Sequence, residues 1–190
     1  MSGRVFWVAA TILLAIVVHL TYVLFAPGDS VQRKLQAMRT LAGVNSLKVL
    51  SANDSRTFLA GEGPGLVHAI CLYDLGKGEV KAEAPIPHGY WSLSIYTSHG
   101  TNVYTLNDRQ AQVDSLSLVL RKANPLRETE NPVGVDSTLE NIFIDLTEPT
   151  GLIVMRAALP DEPARRRVEE ELARARCEPA RNGGQRGREW

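Results

Sequence analysis

An excess of charge of one sign is what this sequence most plainly lacks: Lys and Arg number 21, and Asp and Glu number 21. A chain without a net field has nothing to draw it onto a polyanion, so nucleic acid is not an expected partner. Cysteine is nearly as scarce. Cys71 and Cys177 are too few for a disulfide scaffold and too far apart for a CxxC metal or redox site. Familiar catalytic patterns are missing too. There is no G-x-S-x-G elbow for a nucleophilic serine. Gly61, Gly63 and Gly65 are interrupted by Pro64 and followed by no Lys-Ser/Thr pair, so they read as a flexible loop rather than a phosphate cradle. His68, His88 and His99 match no metal-ligand spacing, and neither a metal nor a cofactor is expected. No internal repeat is visible.

What is present begins with a long apolar run. Val5 to Phe25 holds 21 residues without a formal charge. As a helix it is roughly 31 Å long, against a bilayer core of about 30 Å. A cleaved signal peptide would have a shorter apolar region and small residues before its cut, whereas Leu24-Phe25-Ala26 offers a large residue at the −3 position. The run therefore reads as an uncleaved anchor, residues 1–28 with its flank. Trp7 and Tyr22 stand near its two ends, where interfacial aromatics belong. His19 lies inside it and reads as a neutral imidazole facing a partner helix. Arg4 precedes the run, and Arg33, Lys34 and Arg39 follow it, a count that by itself leans towards a cytoplasmic domain without settling the matter.

Residues 29–66 read as a helix and loop connector. Pro27-Gly28 is expected to end the anchor, and Asp29 or Ser30 to cap a short helix with Val31, Leu35, Met38 and Ala42 on one stripe. Ser46 to Leu50 fits a short strand, and 51–66 a loop. From 67 to 177 the chain reads as a β-rich globular domain. Glu79–Ala84 alternates, with Val80, Ala82 and Ala84 on one face, as in a sheet with one wet side. Leu116, Leu118 and Leu120 repeat that pattern, and Ile142, Ile144 and Leu146 mark another strand. The near-continuous apolar stretch 152–159 fits a central strand buried on both faces, with Arg156 reaching an edge or a carboxylate. Residues 122–138 read as a surface loop. Asp161 should cap a helix with Ala164, Val168, Leu172 and Ala175 inward, and 178–190 should be a disordered tail. The fold class that follows is α+β: a transmembrane helix, a mainly antiparallel β domain and a C-terminal amphipathic helix.

The most distinctive stretch is the hairpin Tyr90–Arg109. A two-residue His99-Gly100 turn puts Leu93 opposite Leu106 and Ile95 opposite Tyr104. A three-residue Ser98–Gly100 loop puts Ile95 opposite Val103 instead. The first gathers Trp91, Leu93, Ile95, Tyr104 and Leu106 on one buried face, with Gly100 supplying the positive φ, and is the expected register. What the core does not absorb lies at the two ends: His88, and the polar triplet Asn107-Asp108-Arg109. The triplet can bind a polar ligand or a partner, and it can equally be a turn with its own internal contacts.

Cys71 on a strand and Cys177 after the last helix can meet if that helix folds back on the sheet. The bond would close a loop of about a hundred residues, for up to about 4–5 kcal/mol in the chain-entropy model, and would need an oxidising compartment. Two separate buried thiols are the other reading.

Taken together, Val18-His19-Leu20, Cys71-Leu72-Tyr73-Asp74-Leu75, Gly89-Tyr90-Trp91-Ser92-Leu93-Ser94, the run Val103–Arg109, Gly151–Ala157 and Cys177 resemble short membrane-anchored bacterial proteins of domain-of-unknown-function family 1254. The likeness spans nearly the whole chain except the tail. It implies an antiparallel β-rich envelope domain on the periplasmic side of a bacterial inner membrane. It also implies as partner a companion small membrane-anchored protein of the related family 1214, each being half of a split pair. It supplies no catalytic residue. Two functions follow: a non-catalytic envelope module that binds a partner through its sheet, or a membrane-tethered hydrolase of unknown substrate built on His88, Asp108 and Arg109.

Overall fold

The structure, a computed structural model, describes residues 3–59, 63, 65–86, 89–111, 115–124, 133–136 and 141–180, with the backbone alone at 25–30 and 133–136. It opens with one helix, α1, Gly3–Ala42, of 40 residues, roughly 60 Å long. This departs from the expected break at Pro27-Gly28. Proline inside a helix removes one hydrogen bond and costs about 3 kcal/mol. Here the stretch beyond it packs its stripe on the domain, with Met38 buried and Leu35, Leu41 and Ala42 half-buried. That packing offsets much of the cost, and no new cap is needed at Asp29 or Ser30. Asn45, at φ 53°, then turns the chain, its amide donating to the Leu72 carbonyl and its side chain bracketing Asp74.

Ten strands follow in two sheets. The first has the order β1 (Leu47–Val49), β2 (Leu66–Asp74), β9 (Thr150–Ala158), β4 (Trp91–Thr97), β5 (Asn102–Asn107). The second runs β10 (Arg176–Pro179), β3 (Val80–Pro85), β6 (Ser115–Lys122), β8 (Asn141–Leu146), β7 (Val133–Asp136). All described pairings are antiparallel except β6 with β8. The inner faces meet in one core. Cys71, Tyr73, Trp91, Leu93, Ile95 and Ile153 come from the first sheet; Val80, Leu116, Leu118, Leu120, Ile144 and Leu146 come from the second. Trp91 is 1% exposed. The alternation read in β3, β6 and β8 is the alternation of this face, and β9 is central and covered on both sides as expected. α3 (Arg165–Leu172) is preceded by a 3-10 turn in which the Asp161 carboxylate accepts from the Ala164 amide, and it lays Val168 and Leu172 over Val67, Met155 and Ala157.

Four further expectations are corrected. Residues 51–66 contain α2, Ala52–Phe58, because the Ser51 hydroxyl accepts from the Asp54 amide as an N-cap. Since β1 joins the first sheet and α2 packs on it, the stretch 29–66 contributes a strand and a helix to the domain as well as connecting to it. The expected loop 122–138 contains β7, paired with β8. The chain after α3 forms β10 against β3, so Glu178 and Pro179 are strand; the rest of the expected tail, 181–190, lies outside the described residues.

The hairpin combines both registers. Leu93 faces Leu106 and Ile95 faces Tyr104, as in the two-residue reading. At the tip, however, the Thr97 amide donates to the Thr101 carbonyl, the Gly100 amide donates to the Thr97 carbonyl, and Gly100 has φ +84°. That is the three-residue loop with glycine in the left-handed region. A bulge between Ile95 and Tyr96, across from Val103, absorbs the one-residue difference and keeps the apolar side chains on the core face.

Candidate functional site

Of the residues left over from the hairpin, the described ones, Asn107-Asp108-Arg109, form a local turn. The Asn107 side-chain oxygen accepts from the amides of Arg109 and Gln110, so the triplet is a turn closed on itself. The Asp108 amide donates to the Trp91 carbonyl and continues the ladder, while its Oδ1 is buried without a protein partner. Arg109 is exposed. His88 lies outside the described residues. Neither Asp108 nor Arg109 lines the cleft described below.

The hairpin tip carries a polar cluster with a different purpose. The Ser98 hydroxyl and amide both donate to Glu148 Oε2, at 2.7 and 3.0 Å, and His99 Nδ1 lies 2.9 Å from Glu148 Oε1. Serine, histidine and glutamate meet here, yet not as a catalytic relay, in which the histidine stands between the other two. Both Ser98 and His99 instead converge on one carboxylate. The Ser98 bond, and after it His99, hold the Glu148 carboxyl below the usual carboxylate range. The tip also meets α1: Gln32 Nε2 donates to the Ser98 carbonyl, and any side chain added at Gly100 would touch Val31. Beneath lies Tyr73, whose hydroxyl donates to the Tyr96 carbonyl and whose phenol is pushed well up by burial and by nearby Glu148.

A concavity opens on the outer face of the first sheet, between α1, α2 and the strands. It encloses about 500 Å³, within the usual range for ligand clefts. α1 supplies Val31, Lys34, Leu35 and Met38; α2 and its C-terminal flank supply Phe58 and Leu59. The floor is Leu152, Val154 and Arg156, successive same-side residues of β9, with Tyr96 beside them. The Arg156 guanidinium donates to Ser94 Oγ and Tyr96 Oη, each at 3.3 Å. Strand register sets His68 and Ser92 on either side of it, and His68, Ser92 and Ser94 are all buried. Arg156 thus stands at the centre of the sheet rather than at an edge. Ser92 and Ser94 make the outer side of β4 a covered polar corner.

Cys71 and Cys177 form a disulfide, with Cα atoms 6.4 Å apart and a sequence separation of 106. It ties β2 of one sheet to β10 of the other through the core. No cluster of three or more potential metal-ligating side chains occurs among the described residues.

Sequence reasoning missed the cleft because its walls are far apart in the chain. The signals were two: Arg156 inside an apolar strand, and a helix stripe (Val31, Leu35, Met38) with no stated partner.

A family model described as a protein of unknown function, DUF1254, matches residues 44–179. No curated protein matches. Among solved structures, the VPA0106 protein from Vibrio parahaemolyticus aligns with a TM-score of 0.56 at 9% identity, covering 80% of this chain and 35% of that one. An uncharacterized protein from Burkholderia cenocepacia aligns at 0.44 and 15% identity, covering 60% of this chain and 31% of that one. The first of these shares the fold, and in both cases this chain spans about a third of the other's length. The β domain begins where the family match begins, ends where it ends, and carries its strands and both cysteines inside it: the chain belongs to the DUF1254 family.

Proposed function

We propose that this protein is a single-pass, membrane-anchored binding or assembly module whose domain faces the periplasm of a bacterial inner membrane. α1 carries the reading. Gly3–Leu24 is long and apolar enough to cross a bilayer and is 0% buried against the rest of the chain, while the end of the same helix packs on the sheet. An apolar face left entirely bare by its own domain is what a lipid environment accommodates. The Cys71–Cys177 bridge supports the periplasmic side, since such bonds persist in oxidising compartments. A companion of the family 1214 type is the partner that the resemblance suggests. No feature of the described residues favours the hydrolase reading.

The test is topology. Both native cysteines are buried, so an exposed reporter is needed, and Lys48→Cys on β1 provides one. A membrane-impermeant maleimide should label it in cells with a permeabilised outer membrane and an intact inner one. Alkylation after denaturation should modify Cys71 and Cys177 only when reductant is added. Labelling of the reporter only after the inner membrane is lysed would overturn the orientation. Recovery of no stable partner on co-purification of the anchored chain would count against the assembly role.

A further inference from the structure

We infer that the cleft between α1, α2 and β9 is a binding site for a single-chain anionic amphiphile, a long-chain fatty-acid carboxylate taken from the adjacent bilayer. The inference deepens the anchored reading and rests on it. Three observations carry it together.

The first is position. α1 passes without a break from the apolar span into the wall of the cleft. Val31 follows Leu24, the end of the span, by seven residues, which is roughly 10 Å of helix. The polar layer on each side of a bilayer is about 5–7 Å deep. The near end of the cleft therefore sits just beyond the headgroups, where a chain leaving the membrane arrives first.

The second is lining. Leu35, Met38, Phe58, Leu59, Leu152 and Val154 form walls and floor that only an apolar occupant satisfies. From Leu152 to Arg156 the floor runs about 13 Å along β9. A space of about 500 Å³ that is open on one side holds one extended acyl chain and leaves no room for a second, which selects a fatty acid over a diacyl phospholipid.

The third is charge. Lys34 stands exposed on the α1 wall, and an ammonium on a flexible stem can meet a carboxylate at the mouth while its methylenes cover the apolar chain. The polar corner of Arg156, Ser94 and Tyr96 closes the inner end with groups already held by one another. No covalent step is involved.

The experiment uses the full chain in phosphatidylcholine nanodiscs with a palmitic acid carrying a photoreactive diazirine near its tail, followed by mass-spectrometric mapping. Cross-links are expected on the cleft residues Met38, Phe58, Leu59 and Val154. Unlabelled palmitate should compete, whereas methyl palmitate, which lacks the charge, should compete about tenfold less well, since a charge-assisted contact of ordinary strength is about that factor, and phosphatidylglycerol, whose second chain the cleft does not hold, should compete no better than the methyl ester. Lys34→Glu should weaken labelling by a similar factor. Leu59→Trp, on the half-buried α2 wall, should abolish it by filling the space. Val154→Trp should do the same from the floor, with retention of the Cys71–Cys177 bond and the circular dichroism spectrum as checks that both variants fold. Equal competition by methyl palmitate or by phosphatidylglycerol would overturn the proposal, and so would undiminished labelling of a folded Leu59→Trp chain. Cross-links confined to Val5–Leu24 would remove the proposal while leaving the anchored reading intact.

Discussion

The two ends of α1 make opposite use of the same backbone. Between Gly3 and Leu24 every turn is apolar and nothing in the domain covers it. From Val31 to Ala42 the helix shows a stripe. Met38 is 3% exposed, Leu35 and Ala42 are half-buried, and Arg33, Lys34 and Arg39 face outward. A helix apolar all round needs lipid or a large core, whereas a striped one needs a single surface to lie on. Because the two are joined without interruption, the anchored reading proposed above has the domain held against the membrane by the helix itself rather than hung from it by a loop.

That contrast can be broken in several ways. Replacing both Cys71 and Cys177 with serine should cost the domain most. A cross-link closing a loop of 106 residues contributes about 4–5 kcal/mol in the chain-entropy model. Chemical denaturation in nanodiscs should show that loss while the helicity of the apolar half persists. Met38→Ala should follow, destabilising the domain by about 2–4 kcal/mol by the usual cost of emptying a core position. Leu14→Ala, in the bare half, should leave the domain's stability within about 0.5 kcal/mol. Equal effects from these two variants would dissolve the distinction.

Gly151→Ala comes next. A Cβ there would overlap the Tyr96 carbonyl and the Tyr73 phenol, and overpacking at a strand backbone should lower stability by about 1–3 kcal/mol, seen as an earlier thermal transition. The smallest effect concerns the latch between the hairpin tip and the turn joining β8 to β9. Glu148 is held below its ordinary pKa of 4.5 chiefly by Ser98. Its contribution is therefore complete above about that pH and is lost as the pH falls through the lower folded value. Amide exchange at Ser98 should accelerate over that acid range, and Glu148→Gln should flatten the dependence.

Much of this fold was legible in the sequence, because alternation reports burial directly. Trp91, Leu93, Ile95 and Leu106 share the core face that their spacing indicated. Asp161 caps as a residue of its type before an apolar stripe should. The misreadings arose where tertiary contact outweighs a local signal. Pro27-Gly28 looks like a stop and is not one, since the packing of Met38 and its neighbours rewards continuation. Residues 176–179 carry no strand pattern of their own and become one because β3 offers an edge, with Cys177 bonded to Cys71. The hairpin register could not be settled by choosing one loop, because the bulge lets the tip and the body differ. Asn107-Asp108-Arg109 drew notice as a polar triplet and proved to be a turn, whereas the cleft drew none, its walls lying some hundred residues apart.

The central claim is that one unbroken helix both crosses the membrane and clamps the domain. Spin labels at Leu20→Cys and Lys34→Cys test it most directly, both positions being exposed and the native cysteines being bonded to each other. They lie fourteen helical steps apart, so pulsed electron–electron resonance in nanodiscs should return one narrow distance distribution centred near ~21 Å between backbones, broadened only by the label arms. A broad or bimodal distribution, or a centre many ångströms shorter, would mean that the chain hinges at Pro27-Gly28 and that the domain is tethered rather than clamped.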